Sequence, residues 1–391
     1  MAEFSFESLR RWPDVEAPNL HAVDASDRLI LDEAAESLAA AGPGDVVVVG
    51  DHFGALTLGA IAHHGARAVR TFQDPLLGER ALAANAGRFG FDDDYRSHPL
   101  GRALLEGARV VLLQLPRSLA ELDEWTQAVA RFAHPEVTVV AGGRIKHMTM
   151  SMNDVMLRSF DELAVGRARQ KSRTLTVRRP KALAAQRYPV VEQIAAHELP
   201  DGVLAVSAYG GAFAGAALDV GTRFLLTFLP EMGVPSTDSA GQPRGRQAKD
   251  AIDLGSGTGV LAAALAAARP ELSIVAVDQS AAAVASTSAT VLAAGHGARV
   301  TAVREDALTG RPDESADLIV CNPPFHTGAA VHADVAMRLL ADARRVLRPG
   351  GELWTVFNTH LGYRDALVRM VGPTNVAGRN EKFTVTVTRR P

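Results

Sequence analysis

Short apolar runs alternate along this chain with longer stretches in which apolar residues recur at helical spacing. The run Val46–Val49 leads through a glycine-containing turn into the apolar stretch ALTLGAI, ending at Ile61. The run AIDL (251–254) leads through a second glycine turn into VLAAAL, ending at Leu265. Each pattern reads as a buried strand, a tight turn and a buried helix. Strands alternating with helices predict parallel α/β units, with each half of the chain a doubly wound sheet.

The two halves repeat one another. Gly54 aligns with Gly259 at an offset of 205, and the ends of the next strands, Asp74 and Asp278, at 204. ARVVLLQLPRS (108–118) parallels ADLIVCNPPF (316–325), and RTLTVRRP (173–180) parallels TVTVTRRP (384–391). Four pairs in the same order indicate a duplicated domain, with small loop insertions moving the offset. The two Thr-alternating pieces suit half-exposed strands at a sheet edge. Domains of 1–185 and 186–391 are expected. The polar segment 231–249, rich in Gly, Pro and Ser, reads as a long surface loop.

The second half carries candidate chemistry. Asp253, Gly255, Gly257 and Gly259 form D-x-G-x-G-x-G between strand and helix. Glycines there let a ligand approach the backbone, and the following helix presents free N–H groups. Asp278, ending the next strand, suits a ribose diol. The dinucleotide fingerprint G-x-G-x-x-G would need glycine where the chain has Val260 or Ala262, so NAD and FAD are disfavoured.

Downstream, the buried-strand pattern Asp317–Cys321 runs into Asn322-Pro323-Pro324-Phe325. Two prolines fix φ and remove two backbone donors. The Asn322 side-chain oxygen and the Pro323 carbonyl are positioned to accept hydrogen bonds from one NH₂ group, with Phe325 stacking on a planar base. A conjugated amine is a poor nucleophile, because its lone pair is delocalised. Two acceptors on its hydrogens favour pyramidalisation and stabilise positive charge developing on nitrogen. Taken alone, the turn is also consistent with a rigid strand ending.

The second half resembles the ribosomal RNA guanine-N2 methyltransferases, which carry two tandem class I methyltransferase-like (Rossmann-like) domains. The matching pieces are Gly215–Phe224 (GAALDVGTRF), the glycine turn, Asn322–His326 and Gly378–Phe383 (GRNEKF). Asn358–Arg364 (NTHLGYR) and Leu115–Ser118 (LPRS) are more similar to the large-subunit enzymes than to the small-subunit ones. The resemblance implies S-adenosylmethionine as cofactor and N2-methylation of a guanosine in 23S-type RNA. It places Asp253 near the methionine part of the cofactor, and Asp306 and Ala307 at its adenine. Gly255-Ser-Gly-Thr-Gly departs from the family's more usual Gly-Cys-Gly, and serine is close to cysteine in size. Other readings of the same motifs are small-subunit RNA, adenine N6 or protein glutamine as target, or an RNA-binding assembly factor without catalysis.

Carried across the repeat, Asp253 becomes Val48, Gly257 becomes His52 and Asn322 becomes Leu115. The first half therefore reads as a degenerate copy that supports the fold and binds RNA. A binding site there for another small ligand is the alternative. Its basic stretch Arg167, Arg169, Lys171, Arg173, Arg178, Arg179, Lys181 holds no acid and suits phosphate contacts, or equally a solvated face. A net charge of −3 requires any RNA contact to come from such a local patch. His326 and Arg223 are weaker candidates for the base pocket and the cofactor cleft. Cys321 is the only cysteine, which excludes an intrachain disulfide or cysteine-based zinc site and suits a reducing cytoplasm. The N-terminus lacks the apolar run of a signal peptide, and no apolar stretch is long enough for a membrane span. No metal and no obligatory protein partner are expected beside the ribosomal RNA.

Overall fold

The computed structural model describes residues 3–182, 185–237, 243–244, 247–323 and 330–391, with backbone only over 236–237, 243–244 and 330–336. The chain divides into two compact units, Met1–Tyr188 and Pro189–Pro391.

In the first unit, strands β1 (Val46–Val49), β2 (Val69–Phe72), β3 (Tyr95–Ser97), β4 (Val110–Gln114), β5 (Thr138–Arg144), β6 (Phe160–Val165) and β7 (Ser172–Pro180) form one sheet in the order β3-β2-β1-β4-β5-β7-β6. The five strands from β3 to β5 are parallel, whereas β7 runs antiparallel to both β5 and β6. Helices α1 (Ala25–Ala39), α2 (Ala55–His64), α3 (Leu76–Phe89), α4 (Arg102–Leu105), α5 (Leu119–Phe132) and α6 (Met150–Leu157) complete the unit. All four valines of β1 are fully buried, as a strand covered on both faces requires. Asp24 starts α1 through a reciprocal capping box with Asp27.

The second unit opens with an antiparallel hairpin, β8 (Val190–Ala195) and β9 (Val203–Ala208). Then come α7 (Val220–Leu226) and a two-residue ladder, β10 (Ser236–Thr237) with β11 (Pro243–Arg244), inside the segment expected to be loop. Strands β12 (Asp250–Leu254), β13 (Ser273–Asp278), β14 (Val300–Arg304), β15 (Ala316–Cys321), β16 (Leu347–Asn358), β17 (Thr374–Arg379) and β18 (Phe383–Arg389) follow. Their order is β14-β13-β12-β15-β16-β18-β17, strand for strand that of the first sheet. Helices α8 (Val260–Ala268), α9 (Ala281–Ala293), α10 (Ala330–Val346) and α11 (Arg364–Met370) accompany them. The hairpin is tied to α9, where the Ser207 N–H donates to Thr290 Oγ1 at 3.0 Å and the Tyr209 N–H to Ser286 Oγ at 2.9 Å. It lay outside the sequence reading.

Sheet register corrects two pairings in the repeat. Gly54 and Gly259 are both left-handed N-caps, which fixes β1 on β12 at the expected offset. Val49 then faces Phe72 and Leu113, while Leu254 faces Val277 and Cys321. The residue following Leu113 is Gln114, and the one following Cys321 is Asn322. Asn322 therefore corresponds to Gln114, not Leu115, and Asp278 corresponds to Gln73, not Asp74. A run such as VVLLQL, buried on both faces, carries no alternation that would reveal a one-residue slip.

The Thr-alternating strands are also not edges. β7 and β18 are next to last, and β6 and β17 form the edges. The threonines of β18 face inward and pair hydroxyl to hydroxyl: Thr386 with Thr355 at 2.7 Å, Thr384 with Thr359 at 2.9 Å and Thr388 with Thr374 at 3.0 Å. Mutual pairing satisfies polar groups that would otherwise have marked an exposed face.

Gly259 has φ +79°, and a Cβ there would lie 2.9 Å from the Thr287 Cα. Gly259→Ala is therefore expected to cost about 2–4 kcal/mol from left-handed strain plus overpacking. Gly350→Ala, at φ +80° facing open space, should cost only about 1–2 kcal/mol. Urea midpoints of the two variants check the ranking, and equal midpoints would contradict it.

Candidate active site

The glycine turn is built by polar groups that hold its backbone open. Asp253, at 0% exposure, accepts from the Ala262 N–H at 3.0 Å through Oδ2 and so satisfies one of the free donors of α8. Its Oδ1 is buried without a hydrogen-bond partner among the described residues. Burial pushes its carboxyl up to about 7; the Ala262 N–H opposes this, and the nearby Asp278 charge adds to it. Asp278 accepts from the Gly257 N–H and the Ser280 N–H, both at 3.0 Å, linking the end of β13 to the turn. Thr287 on α9 donates to the Gly257 carbonyl at 3.0 Å. Gly255 and Gly257 both have positive φ, and a Cβ on either would project into open space. That open cradle, beside a helix N-terminus and an acid at the adjacent strand end, fits a ribose-bearing cofactor.

Asn322 follows the last residue of β15. Its Nδ2 donates to Asp219 Oδ2 at 2.8 Å and to Thr222 Oγ1 at 2.9 Å. Asp219 is the N-cap of α7 and also accepts from the Thr222 N–H at 3.0 Å. An ionised carboxylate only accepts, so the amide nitrogen must face Asp219 and the oxygen must face away. Glycine at position 221 leaves this network room, because a Cβ there would lie a tight 3.1 Å from the Asp219 carboxylate and 3.4 Å from the Asn322 amide. Asn322, Asp219 and Thr222 line one cleft with Gly255, Ser256, Gly257, Thr258 and Phe213. Pro323 is buried directly after Asn322. Phe325 and His326 lie outside the described residues.

The structure thus brings Gly255, Gly257 and Asn322 to one cleft, with Asp278 bonded to its glycine backbone and Asp253 behind it. Asp306 and Ala307 follow β14 at the same end of the sheet, outside the cleft lining. The Asp306 carboxylate lies 3.7 Å from Arg338, and Ala307 holds φ +51°. Arg223 is exposed on α7 and does not line the cleft. Sequence reasoning missed Asp219, Thr222 and Phe213. A usable signal was present, since Asp219-Val-Gly-Thr-Arg223 repeats Asp24-Ala-Ser-Asp-Arg28 at the start of a helix in each unit.

In the first unit the basic stretch occupies the β6–β7 hairpin and its flanks. Arg169 pairs with Asp32, Arg179 with Glu162 at 3.0 Å, and Lys181 with Asp161 at 3.7 Å. Arg178 donates to Thr138 Oγ1 at 3.2 Å, Arg173 is half-buried, and Arg167 and Lys171 are exposed. Acids from elsewhere in the fold therefore neutralise part of a stretch that contains none itself. The acid missing at Val48 reappears three residues later. Asp51 accepts from the Thr57 N–H at 2.8 Å, and Thr57 is the counterpart of Ala262. The helix cap is kept, while His52 stands where Gly257 leaves open space.

Comparison with known proteins matches residues 204–387 to the methyltransferase small domain and residues 1–181 to the RLMG N-terminal domain. The chain is 34% identical to a ribosomal RNA large subunit methyltransferase G of Streptomyces avermitilis, over 97% of this chain and 95% of that one. It is 33% identical to a protein of the same name from Pseudomonas aeruginosa, over 98% and 97%. Among solved structures, a T. thermophilus 16S rRNA N2 methyltransferase in complex with AdoMet and guanosine superposes with a TM-score of 0.72. That match covers 96% of this chain and 97% of the other at 22% identity, a likeness of fold.

The environment of Asp253 predicts a pH dependence. Its folded carboxyl titrates near 7 against an ordinary value of 3.8, so the folded state binds more protons between those values. Stability from this group is fullest below about pH 4 and declines as pH rises through 7. Asp253→Asn removes that decline. Relative to the wild type, the variant should gain stability between pH 5 and pH 8, by at most about 3 kcal/mol. Denaturant unfolding at the two pH values checks the sign, and a constant difference would contradict it.

Proposed function

The chain belongs to the ribosomal RNA large subunit methyltransferase G family, and from that premise we propose that Asn322 grips the exocyclic N2 amine of a guanosine in large-subunit ribosomal RNA for methylation. S-adenosylmethionine is the cofactor; when bound, it supplies a methyl group on a sulfonium, already a good leaving group. The large-subunit target is preferred because the whole-length relatives at 31–34% identity share that name.

The observation that carries the site assignment is the fixed amide. With its Nδ2 held by Asp219 and Thr222, Asn322 presents Oδ1 as an acceptor beside the open glycine cradle. Oδ1 takes one amine hydrogen and the Pro323 carbonyl takes the other. Together they localise the nitrogen lone pair and stabilise its developing charge. Asp278, at the strand end beside the glycine turn, is a carboxylate of the kind that accepts from a ribose diol. Gly255 and Gly257 admit the cofactor to the backbone. Holding amine and methyl in line supplies much of the rate, so no strongly shifted base is required. Phe325 supports the reading from sequence, as a ring able to stack on the guanine. The first unit, with its exposed Arg167 and Lys171, serves RNA binding, and the cytoplasm is where that RNA is met.

Asn322→Ala should lower methyl transfer by about 10²–10³-fold or more, with cofactor affinity kept within about twofold. Loss of cofactor binding instead would refute the assigned role. Asp278→Ala should weaken cofactor binding at least about tenfold by calorimetry, as expected for lost charge-assisted bonds. Digestion and mass spectrometry of ribosomal RNA from a deletion strain should reveal one missing N2-methylguanosine in the large-subunit RNA. A complete set of methylguanosines there would overturn the reading.

A further inference from the structure

The corrected register puts an amide, Gln114, at the Asn322 position of the first unit. The residues that orient Asn322 have counterparts as well. Asp24 matches Asp219, Asp27 matches Thr222, and Ser26 stands in place of Gly221. Ser26 Oγ donates its proton to Asp24 Oδ1 at 2.9 Å, so it accepts from Gln114, whose Nε2 lies 2.9 Å away. The amide nitrogen therefore faces Ser26. Gln114 is only 7% exposed, and its Oε1 is buried with no hydrogen-bond partner among the described residues. A buried oxygen left unpaired is costly, and a ligand donor would pair it.

Gln114 lines a cavity of about 420 Å³ at the carboxyl ends of β1, β4 and β5. That volume falls within the ~300–1,000 Å³ usual for small-ligand pockets. Arg11, Arg117, Arg144 and Lys146 also line it, opposed by Asp24 and Asp27. Arg144 Nε is held on Asp24 at 2.7 Å, and burial pushes the Asp27 carboxyl up to about 8, leaving it largely neutral near pH 7. Arg11 is paired with Asp14 at 2.5 Å, so Arg117 and Lys146 carry most of the positive charge of the lining, and Gln114 contributes an amide to the same wall. His52 at the Gly257 position and Gln73 at the Asp278 position remove the cradle and the ribose acid, so a second S-adenosylmethionine site does not fit.

We propose that this cavity is a second nucleotide site, which binds without transferring a group. It takes a nucleotide carrying an exocyclic amino group, with Gln114 Oε1 accepting from the amine and the Arg/Lys rim meeting the phosphate. The nucleotide is either free or splayed out of a single strand, and this site stands independently of the role given to Asn322.

The test is calorimetric titration of the full chain carrying Asn322→Ala, which removes the other amine grip. AMP, CMP and GMP should bind at least about tenfold more tightly than UMP, which lacks an amino group. Gln114→Leu should bring all three down to the UMP level. Equal binding of all four, or an amino preference that survives Gln114→Leu, overturns the proposal. Should that variant fail to fold, Arg117→Ala at the exposed rim serves instead: it should weaken nucleotides at least about threefold and leave nucleosides unchanged, and no effect counts against the site. Short oligo(A) binding more tightly than AMP assigns the ligand to an RNA strand; weaker binding assigns it to free nucleotide; absence of both overturns the proposal. Gln114→Leu in a chain with Asn322 intact should keep its cofactor affinity, so failure here leaves the catalytic reading to its own tests.

Discussion

One hydrogen bond organises the cleft of the second unit: the Asn322 amide nitrogen donating to the Asp219 carboxylate. An amide has two ends of opposite character and can turn end for end, whereas a carboxylate only accepts. Placing the carboxylate on one side decides which end faces the cleft. A charge-assisted bond of this kind contributes roughly 1.5–3 kcal/mol, enough to hold one orientation almost exclusively. The rest of the local structure serves that geometry. Asp219 is itself fixed by capping α7, Thr222 takes the second amide hydrogen, and Gly221 keeps the space between them free of a side chain.

The glycine turn obeys a second constraint, the free N–H groups at the start of a buried helix. α8 is fully buried from Val260 to Ala266, so its free donors need partners. Asp253 supplies one from inside the sheet. In the first unit the equivalent strand position is Val48, yet the demand persists and Asp51 meets it from within the turn. The acid is therefore part of the fold before it is part of any binding site. What separates the two turns is space: Gly255 and Gly257 are open, whereas a Cβ on Gly50 would lie 2.8 Å from the Trp125 ring and His52 places a side chain at the Gly257 position.

Much of this was legible in the sequence because it depends on local pattern. Apolar runs ending in glycine turns gave the strand–turn–helix units, and their recurrence gave the duplication. Asp253, the glycines, Asp278 and Asn322 stood out because their spacing has a chemical meaning. What escaped notice depends on register or on distant partners. No pattern inside VVLLQL reveals that Gln114, rather than Leu115, ends the strand. Inward threonines look like an exposed face until their partners on neighbouring strands are known. Asp219 lies about a hundred positions from Asn322, and only the fold joins them. The acids that neutralise Arg169, Arg179 and Lys181 likewise come from other parts of the unit.

The repeat also shows which features diverged. Had the first unit merely decayed, the amide, its helix-cap acid and their mutual orientation would have been free to drift independently. Instead Gln114 is one methylene longer than Asn322, and Ser26 replaces Gly221 with a hydroxyl that meets the displaced amide nitrogen. The two differences compensate, and together they keep the nitrogen pinned and the oxygen turned away. Gly257 and Asp278 changed in the opposite sense, to His52 and to the donor Gln73, while Gly255 and Gly259 are kept as Gly50 and Gly54. Gln73 now donates to the backbone carbonyls of Asp51 and His52, where Asp278 accepts from Gly257. The two units thus differ at the Gly257 and Asp278 positions and agree in an amide whose nitrogen is held at the end of β4 or β15.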